Sequence, residues 1–308
     1  MARCALGIDV GGTTTKAARV NAVGEIDGWR RIPTPSRADA VAAACAAIAT
    51  ELMTDEVAAV GIGSAGLVED GVHIWGPHVA GPAPIVEEVT AATGRPATAD
   101  NDANAAAFAE LRLGAARGCS NFVMVMLGTG IGGGIIIEGS IYRGRGFAGE
   151  LGHLVVDPNG PPCECGRKGC WERLVSGSVL DSEARRIAGA DPAGIVAGCA
   201  GGEDASGLHL MEAAQEGDPV SLGVWSTVGR WLGRGMADLV AVLDPEMFVV
   251  GGAPARAGAL LLDPAQEALA ELMHGAGIRA VPPIVISRYG ENAAVIGAAL
   301  QALEKFDD

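Results

Sequence analysis

The segment from Gly149 to Glu172 constrains this chain more than any other, because it concentrates metal-binding side chains. Cys163, Cys165 and Cys170 lie within eight residues of one another, and His153 precedes Cys163 by ten residues. Three thiolates and one imidazole form the closed ligand set of a tetrahedral structural zinc site. A Cys-x-Cys pair is too close to bridge itself comfortably. The pattern therefore predicts that these four side chains converge on one zinc ion; the alternative is buried thiols or disulfide partners beside a loop histidine.

The composition describes an acidic globular chain. Its 308 residues can bury a large core and suggest two domains. The formal charge of -15 argues against broad binding to nucleic acid or to an anionic membrane, both of which require basic surface. The apolar run near the N-terminus contains Asp9, and no uncharged run reaches membrane-spanning length. We therefore expect a cytoplasmic protein without a signal peptide, and reduced core thiols at Cys4, Cys45, Cys119 and Cys199.

Two glycine-centred hairpins recur along the chain. One runs through CALGIDVGGTTTKAARV and the other through NFVMVMLGTGIGGGIII, with Gly11 and Gly130 in corresponding places about one domain length apart. Predicted helices cover 39–54, 102–116 and 292–303, predicted strands cover 57–62, 247–250 and 284–287, and 178–243 is mostly helical. The alternation predicts α/β layers with a partly parallel sheet, and the repeat predicts two related halves.

Each hairpin turn carries residue types that bind phosphate. In Asp9-Val10-Gly11-Gly12-Thr13-Thr14-Thr15-Lys16 the glycines let backbone N–H groups approach phosphate oxygens, the hydroxyls donate further hydrogen bonds, and Lys16 offsets phosphate charge. The turn Gly128-Thr129-Gly130 has the same ingredients. An ordinary hairpin turn remains the alternative, and G-x-G-x-x-G matches elsewhere are weak signals in so glycine-rich a chain.

Asn101 and Asp102 stand where an apolar segment ends and a helix begins. Either residue is an excellent helix N-cap, which explains the pair without any chemistry. Alternatively, Asp102 accepts a proton from an attacking hydroxyl that Asn101 holds by hydrogen bonds. Spacing along the sequence does not decide between the two interpretations.

Nearly the whole chain is spanned by motifs that occur together in one known family. In chain order they are DVGGTTTK, DNDANAAA, LGTGIGGG, GELGH, CECGRKGCWE and VVGG. The set resembles the ROK family of bacterial sugar kinases and sugar-responsive repressors, whose own signature is the cysteine-rich loop. The resemblance implies an α/β fold of the actin-like, ribonuclease H-like type, with two domains around a deep interdomain cleft. We expect a small domain over 1–117, joined by the C-terminal helix 292–308, and a larger domain over 118–291 with the zinc loop and nucleotide-binding elements.

The resemblance also implies roles for individual residues. The first phosphate motif would comprise Asp9, Gly11, Gly12, Thr13 and Lys16, the second Thr129 and Gly130, and the adenosine motif Gly251 and Gly252. The sugar ligands would be Asn101, Glu150, His153 and Glu172, with Gly66 in the adjoining loop, and Asp102 would be the catalytic base. In this family the zinc histidine also faces the sugar, so the zinc ion orders the substrate site and is not the Lewis acid of the reaction.

The implied reaction is ATP-dependent phosphorylation of a hexose, with glucose as the first expectation. The 6-hydroxyl would attack the γ-phosphorus in line while Asp102 takes its proton and Mg²⁺ bridges phosphate oxygens. Domain closure would exclude water, which otherwise competes as acceptor. The expected cofactors are structural Zn²⁺ and Mg²⁺ with ATP. The expected partners are the hexose, ATP and further copies of this chain in a dimer or tetramer, with no nucleic acid and no membrane.

The identity of the sugar is less constrained than the reaction. Where the family's glucokinases often carry an Asn-Leu pair, this chain has Pro77-His78-Val79-Ala80-Gly81, and imidazole differs from an amide in its donors and acceptors. Mannose, fructose, N-acetylmannosamine and N-acetylglucosamine stay open, as does polyphosphate as donor. The alternative from another class is a non-catalytic sugar-sensing regulator. The family's repressors carry a helix-turn-helix domain before the first hairpin, which here starts within ten residues of Met1.

Overall fold

A computed structural model describes residues 3–76, 79 and 81–307. The chain forms two compact units. Unit 1 contains Met1–Ser120, Gly134–Gly149 and Ser287–Asp308, and unit 2 contains Asn121–Gly133 and Glu150–Ile286. Within the described ranges, no helix combines the length and the apolar character that a membrane crossing requires.

Both units combine strands and helices, as predicted. The strands are β1 (Cys4–Val10), β2 (Thr14–Asn21), β3 (Ile26–Pro33), β4 (Val57–Ser64), β5 (Leu67–Glu69), β6 (Val72–Trp75), β7 (Ala97–Asn101), β8 (Phe122–Leu127), β9 (Ile131–Ile137), β10 (Ser140–Ile141), β11 (Met247–Gly252) and β12 (Ile284–Ile286). The helices are α1 (Ala38–Leu52), α2 (Ile85–Thr93), α3 (Asp102–Arg112), α4 (Glu172–Val175), α5 (Gly177–Ala190), α6 (Ile195–Ala200), α7 (Gly207–Gln215), α8 (Pro219–Leu243), α9 (Ala259–Leu272) and α10 (Ala293–Lys305).

The sheet of unit 1 has the strand order β3-β2-β1-β4-β7, with β1 to β3 antiparallel and β1, β4 and β7 parallel. Side chains alternate between its faces, as strand geometry requires. Leu6 and Ile8 pack into a core cluster with α1 and α2, whereas Ala5 packs into a second cluster with α3 and α10. The sheet is therefore covered by helices on both faces, and the carboxyl ends of β1, β4 and β7 point the same way.

The second sheet repeats that order as β10-β9-β8-β11-β12, and β8, β11 and β12 are parallel. In both sheets the first strand of the set is central, the next two strands follow on one side, and the last two lie on the other. This shared topology confirms the prediction of two related halves. The helical content predicted for 178–243 is also confirmed, by α5 to α8.

The predicted helix over 102–116 is shorter in the structure and ends at Arg112. The reason is local, because the carboxylate and the backbone carbonyl of Glu110 accept hydrogen bonds from N–H groups of the residues that follow the helix. The N–H of Ala115 donates to Oε2 of Glu110 at 2.7 Å, and those of Gly114 and Ala116 donate to its carbonyl. This fully buried acid also accepts from Oγ of Ser287 at 2.6 Å. It thereby fixes the end of α3 to the approach of α10.

The predicted domain boundaries stay a prediction, and the compact units differ from them at 118–120, 134–149 and 287–291. Residues 134–149 fall in unit 1, although the expected small domain ended at 117. Packing explains the grouping, because Gly134 lies so close to α3 that a Cβ there would approach the carbonyl of Ala103 to 2.7 Å.

Candidate functional site

The first glycine turn joins β1 to β2 in unit 1. Asp9 pairs with Lys16 across the two strands, and the N–H of Gly11 donates to the carbonyl of Thr14 at 3.1 Å. Thr15 is buried, and its hydroxyl lies 2.9 Å from that of Thr34, which donates to the carbonyl of Gly11. Hydrogen bonds through Thr15 and Thr34 therefore stabilise the turn. The backbone at Gly11 and Gly12 is partly exposed and the side chain of Thr13 is exposed, so these groups can receive a ligand.

Two acids and one lysine lie close together at the carboxyl end of β1. Burial and the nearby charge of Asp102 raise the pKa of Asp9 to about 7, while Lys16 opposes this shift. The ammonium of Lys16 donates to the carbonyl of Glu291 at 3.1 Å and lies 3.3 Å from its carboxylate. Such paired acids attract a cation or share a proton.

The predicted cap at the start of α3 is present. Oδ1 of Asn101 accepts from the N–H groups of Ala103 and Asn104 at 2.9 and 3.2 Å, and its Nδ2 donates to the carbonyl of Gly66 at 3.0 Å. Asp102 is the first helical residue, and its Oδ1 accepts from Ala103 at 2.9 Å. Capping thus fixes both side chains, which is compatible with a catalytic role for Asp102.

Gly66 requires its glycine. Its φ is +102°, and any Cβ would overlap the carbonyl of Trp75. The backbone of the loop therefore stands close to the β6 end, where it supplies the acceptor for Asn101. The predicted difference in the sugar loop at Pro77, His78 and Ala80 lies outside the described residues.

The second glycine turn lies in unit 2, between β8 and β9. The N–H of Gly128 donates to the carbonyl of Gly130 at 3.0 Å, and Oγ of Ser178 donates to the carbonyl of Thr129 at 2.7 Å. Gly251 and Gly252 end β11 beside the end of β8, in register with Met126 and Leu127. The structure therefore places the predicted second phosphate motif and the adenosine motif together at the carboxyl ends of two neighbouring strands.

The four predicted metal ligands converge in unit 2. One ligand atom from each of His153, Cys163, Cys165 and Cys170 lies within 4.8 Å of all the others. Sγ of Cys165 and Sγ of Cys170 are 3.5 Å apart, and Sγ of Cys163 lies 3.8 Å from Nδ1 of His153. Tetrahedral bonds of 2.3 Å to one zinc ion place two sulfur atoms about 3.8 Å apart, so the set fits this metal. All these cysteines are free thiols, which argues against the disulfide alternative.

The backbone around the cluster forms a tight knuckle. The N–H of Cys163 donates to the carbonyl of Arg167 at 2.8 Å, and that of Gly166 donates to the carbonyl of Cys163 at 3.0 Å. Hydrogen bonds from the backbone and side chain of Arg167 lower the pKa of Cys165 to about 6. A thiolate is therefore available at neutral pH to receive a metal.

Two acids stand beside the cluster. Oε1 of Glu172 lies 3.5 Å from Nδ1 of His153 and accepts from Sγ of Cys163 at 3.2 Å. Burial raises the pKa of Glu150, as does the charge of Glu172, whereas His153 lowers it. The predicted sugar ligands of unit 2 are therefore neighbours. The turn is near as well, because a Cβ at Gly130 would lie 2.6 Å from Oε2 of Glu172.

Trp171 anchors this group to the helical part of unit 2. Its side chain is fully buried, and its Nε1 donates to the carbonyl of Trp231 in α8 at 2.8 Å. The ring packs so tightly on Gly235 that any Cβ there would overlap it. The buried Trp171 thereby also fixes the backbone of its two neighbours in the chain, Cys170 and Glu172.

The residues that support the Asn101–Asp102 pair were not predicted from the sequence. Asp100 accepts hydrogen bonds from Arg143 and Gln301, far away along the chain. The signal within the sequence was an aspartate at the end of a strand, directly before the proposed pair. Nothing in the spacing of Arg143 or Gln301 identified them as its partners.

Comparison with known proteins adds to this geometry. A model of the ROK family matches residues 5–305. A glucokinase from Streptomyces coelicolor is 37% identical over 97% of this chain and 97% of its own length. An N-acetylmannosamine kinase from Salmonella paratyphi A is 34% identical over 96% of this chain and 97% of its own length.

A solved structure agrees with these relatives. The ROK family glucokinase from Streptomyces griseus, in complex with glucose and AMPPNP, matches with a TM-score of 0.89 and 37% identity, covering 98% of this chain and 99% of that chain. The predicted α/β fold of the actin-like two-domain type is confirmed. Because the family model and relatives above 30% identity span almost every residue, this chain belongs to the ROK family.

Proposed function

We propose that this protein is an ATP-dependent sugar kinase that converts glucose to glucose 6-phosphate. The observation that carries the proposal is the Asn101–Asp102 pair, fixed at the start of α3 and close to Asp9. The glucokinases that match nearly the whole chain support the same activity. Oligomeric state and cytoplasmic location stay predictions.

Asp102 is the proposed general base. Its Oδ1 accepts from the backbone N–H of Ala103, which orients the carboxylate that would take a proton from a substrate hydroxyl. The 6-hydroxyl oxygen forms a bond to the γ-phosphorus as the bond from phosphorus to the β,γ-bridging oxygen breaks, and ADP leaves. Phosphoryl transfer has a loose transition state, so the protein acts mainly through position and charge.

Asn101 is the proposed sugar ligand in unit 1. Its amide cannot turn freely, because both its oxygen and its nitrogen are bound to the backbone. A hydroxyl of the sugar can then meet an amide of known orientation. In unit 2 the corresponding proposal assigns Glu150, His153 and Glu172 to the sugar, since their charged and polar groups cluster.

The glycine turns are proposed to hold the nucleotide. Gly11, Gly12 and Thr13 offer backbone and hydroxyl donors, and Lys16 offers a positive charge. The raised pKa of Asp9 beside Asp102 fits a site for a hard cation, because carboxylate oxygens are the ligands that Mg²⁺ prefers. Mg²⁺, when bound with ATP, would neutralise phosphate charge. Thr129, Gly130, Gly251 and Gly252 are the proposed nucleotide contacts of unit 2.

His153, Cys163, Cys165 and Cys170 are proposed to hold a structural zinc ion. The bound metal would supply rigidity, because all four ligand positions come from the protein and none is left for a substrate. The chain's own residues Trp171 and Arg167 keep the knuckle and its neighbour Glu172 in place.

A kinase for another sugar is the second candidate. The N-acetylmannosamine kinase that is 34% identical favours it, and so does His78 in place of the usual Asn. A non-catalytic sugar sensor is the third. It is disfavoured because Asp102 and both glycine turns are intact.

A coupled assay distinguishes the candidates. Glucose, mannose, fructose, N-acetylmannosamine and N-acetylglucosamine are each offered with ATP and with polyphosphate. We expect glucose with ATP to give the highest kcat/KM. A higher value for another sugar would reassign the substrate, and hexose binding without any phosphoryl transfer would favour the sensor.

A further inference from the structure

A carboxylate that the proposed reaction leaves unused lies directly before the catalytic pair. Asp100 is the second-last residue of β7, and its side chain is 11% exposed. Its position next to Asn101 and Asp102 places it at the carboxyl end of the unit 1 sheet, where the reaction is proposed to occur. Burying a charge costs free energy unless the charge is paired, so the partners of Asp100 indicate its role.

Five N–H groups converge on this carboxylate. Oδ1 accepts from the backbone N–H of Asn101 at 2.8 Å and from Nδ2 of Asn104 at 3.0 Å. Oδ2 accepts from Nε and Nη2 of Arg143 at 3.1 and 2.6 Å, and from Nε2 of Gln301 at 2.9 Å. Asp100 thus joins the start of α3, the segment after β10 and the middle of α10.

Each oxygen has a distinct task. Oδ1 binds the peptide N–H of Asn101 and the first turn of α3, the backbone that carries the proposed sugar ligand and base. Oδ2 binds two side chains from distant parts of unit 1. Hydrogen bonds to an ionised acceptor are stronger than neutral ones, and a fully paired buried network is rigid. The carboxylate therefore fixes the backbone of the Asn101–Asp102 pair relative to the side chains of Arg143 and Gln301.

We infer that Asp100 is a positioning residue of the kinase reaction, which holds the Asn101–Asp102 pair in register with Arg143 and Gln301. The inference rests on the proposed function, in which Asp102 accepts the proton. Asp100 touches neither the sugar nor ATP in this assignment. Its contribution is the orientation of the backbone that leads into α3.

The structure offers a matched control on the same two helices. Arg112 of α3 donates to both carboxylate oxygens of Glu304 of α10, at 2.9 and 2.7 Å. The side chains of this pair are 39% and 57% exposed, and no hydrogen bond links them to Asp100. Glu304→Gln therefore weakens the contact between α3 and α10 without altering the carboxylate of Asp100.

The test compares Asp100→Asn, Gln301→Leu and Glu304→Gln. The amide of Asp100→Asn keeps the shape but replaces one acceptor oxygen with an NH₂ group, which opposes the donors that face it. A displacement near 1 Å at a reacting group costs on the order of 10²-fold in rate. We expect Asp100→Asn to lower kcat about 10- to 100-fold and to raise the sugar KM, with the KM for ATP changed less than about threefold.

Smaller effects are expected from the other variants. Gln301→Leu should lower kcat about three- to tenfold, since it removes one of three donors to Oδ2, and Glu304→Gln should stay within about twofold. The double variant Asp100→Asn/Gln301→Leu should cost no more than Asp100→Asn alone, because both act through the same carboxylate. Thermal melts of all variants identify any loss that comes from unfolding.

The outcomes separate the two hypotheses. Loss of activity in Asp102→Asn together with normal kcat in Asp100→Asn would overturn the positioning role and leave the proposed function intact. Equal losses in Asp100→Asn and Glu304→Gln would also overturn it, because helix packing alone would then explain both. An unmodified protein that phosphorylates no sugar would overturn the proposed function, and with it the premise of this inference.

Discussion

The two units present their site residues in different ways. In unit 1 the protein itself holds every proposed residue near the start of α3: Asn101 is bound through both ends of its amide, and Asp100 receives five N–H groups. In unit 2 four ligand atoms lie within 4.8 Å of one another, an arrangement that suits one metal ion. The carboxylate of Glu172 contacts two of these ligands, Cys163 and His153.

The difference teaches where each half obtains its rigidity. A helix start supplies orphan N–H groups that side chains satisfy, so the unit 1 half is ordered by folding alone. A knuckle of glycines, prolines and cysteines has little apolar surface to bury, so we expect the unit 2 half to depend on the proposed metal, whose binding would be coupled to folding. Damage to the first half should reduce the rate at constant structure, and damage to the second should reduce order first.

Asp102→Asn should give the largest effect. The amide keeps the shape and the cap at Ala103 but cannot take the proton, so we expect kcat to fall roughly 10²- to 10⁴-fold while sugar affinity and thermal stability are retained. Steady-state kinetics and calorimetry with glucose measure both. The matched control is Asp218→Asn, which alters the aspartate that caps α8 in unit 2 and should leave kcat unchanged. A loss below about threefold would make Asp102 a cap only.

Loss of the metal should be the next largest effect. Cys165→Ser should abolish stoichiometric zinc in elemental analysis, lower Tm by at least about 5 °C, and reduce glucose affinity at least about tenfold. Cys199→Ser, which changes a cysteine of α6 outside the cluster, is the control and should retain zinc. A fully active protein without metal would remove the contrast between the two units.

Glu172→Ala sharpens the comparison within unit 2. A carboxylate can accept from two neighbouring sugar hydroxyls, and we expect the sugar KM to rise at least about tenfold, equivalent to about 1.4 kcal/mol. The KM for ATP should change much less, although Gly130 lies beside this carboxylate. Calorimetric titration with glucose and with a non-hydrolysable ATP analogue separates the two affinities. A selective loss of nucleotide would contradict the assignment of Glu172 to the sugar.

The smallest effect concerns the pH dependence of unit 1. The pKa of Asp9 is raised from 3.8 to about 7, so between these values the folded protein keeps a proton that the unfolded chain has lost. The free energy of unfolding contributed by this group therefore falls as pH rises through that interval and levels off above it. The amide of Asp9→Asn does not titrate, so this variant should not lose stability as the pH rises. Its Tm should exceed that of the parent by about 2 to 6 °C at pH 8, with no difference near pH 4.

Thermal melts of the nucleotide-free protein across this range measure the effect. Asp27→Asn is the control of opposite sign, because a hydrogen bond from Arg19 lowers the pKa of that exposed carboxyl. Its stabilising contribution is present above the unfolded value and is lost as pH falls. A variant at Asp9 that gains no stability at pH 8 would contradict the prediction, because it would show that folding does not raise the pKa of this acid.

Motifs whose chemistry is local could be predicted from the sequence. The ligand spacing of His153, Cys163, Cys165 and Cys170 predicted a convergence that the structure bears out. The hairpin at Gly11 and the cap at Asn101 were predictable for the same reason, since hydrogen bonds between near neighbours determine them. The repeat of two sheets was predictable because the glycine-centred hairpin recurs in the sequence.

Supports that join distant segments could not be predicted. Asp100 meets Gln301, and Glu110 meets Ser287, across most of the chain, and no period or turn pattern encodes such pairs. The early end of α3 has the same origin, because the side chain of Glu110 binds the N–H of Ala115 and thereby stops the helix. Catalytic assignments for the individual site residues stay predictions until the variants above are measured.

The close packing of α10 has a consequence for the order in which the protein is made. Gly7 of β1 and Gly61 of β4 face α10 without side chains, and Gly297 of α10 faces α3, so these backbones touch directly. A ribosome synthesises α10 long after both strands, while all of 150–286 emerges in between. During that interval the sheet of unit 1 lacks α10, one of the two helices that cover its glycine-lined face. Biosynthesis thus leaves the catalytic half unfinished until nearly the whole chain has been translated.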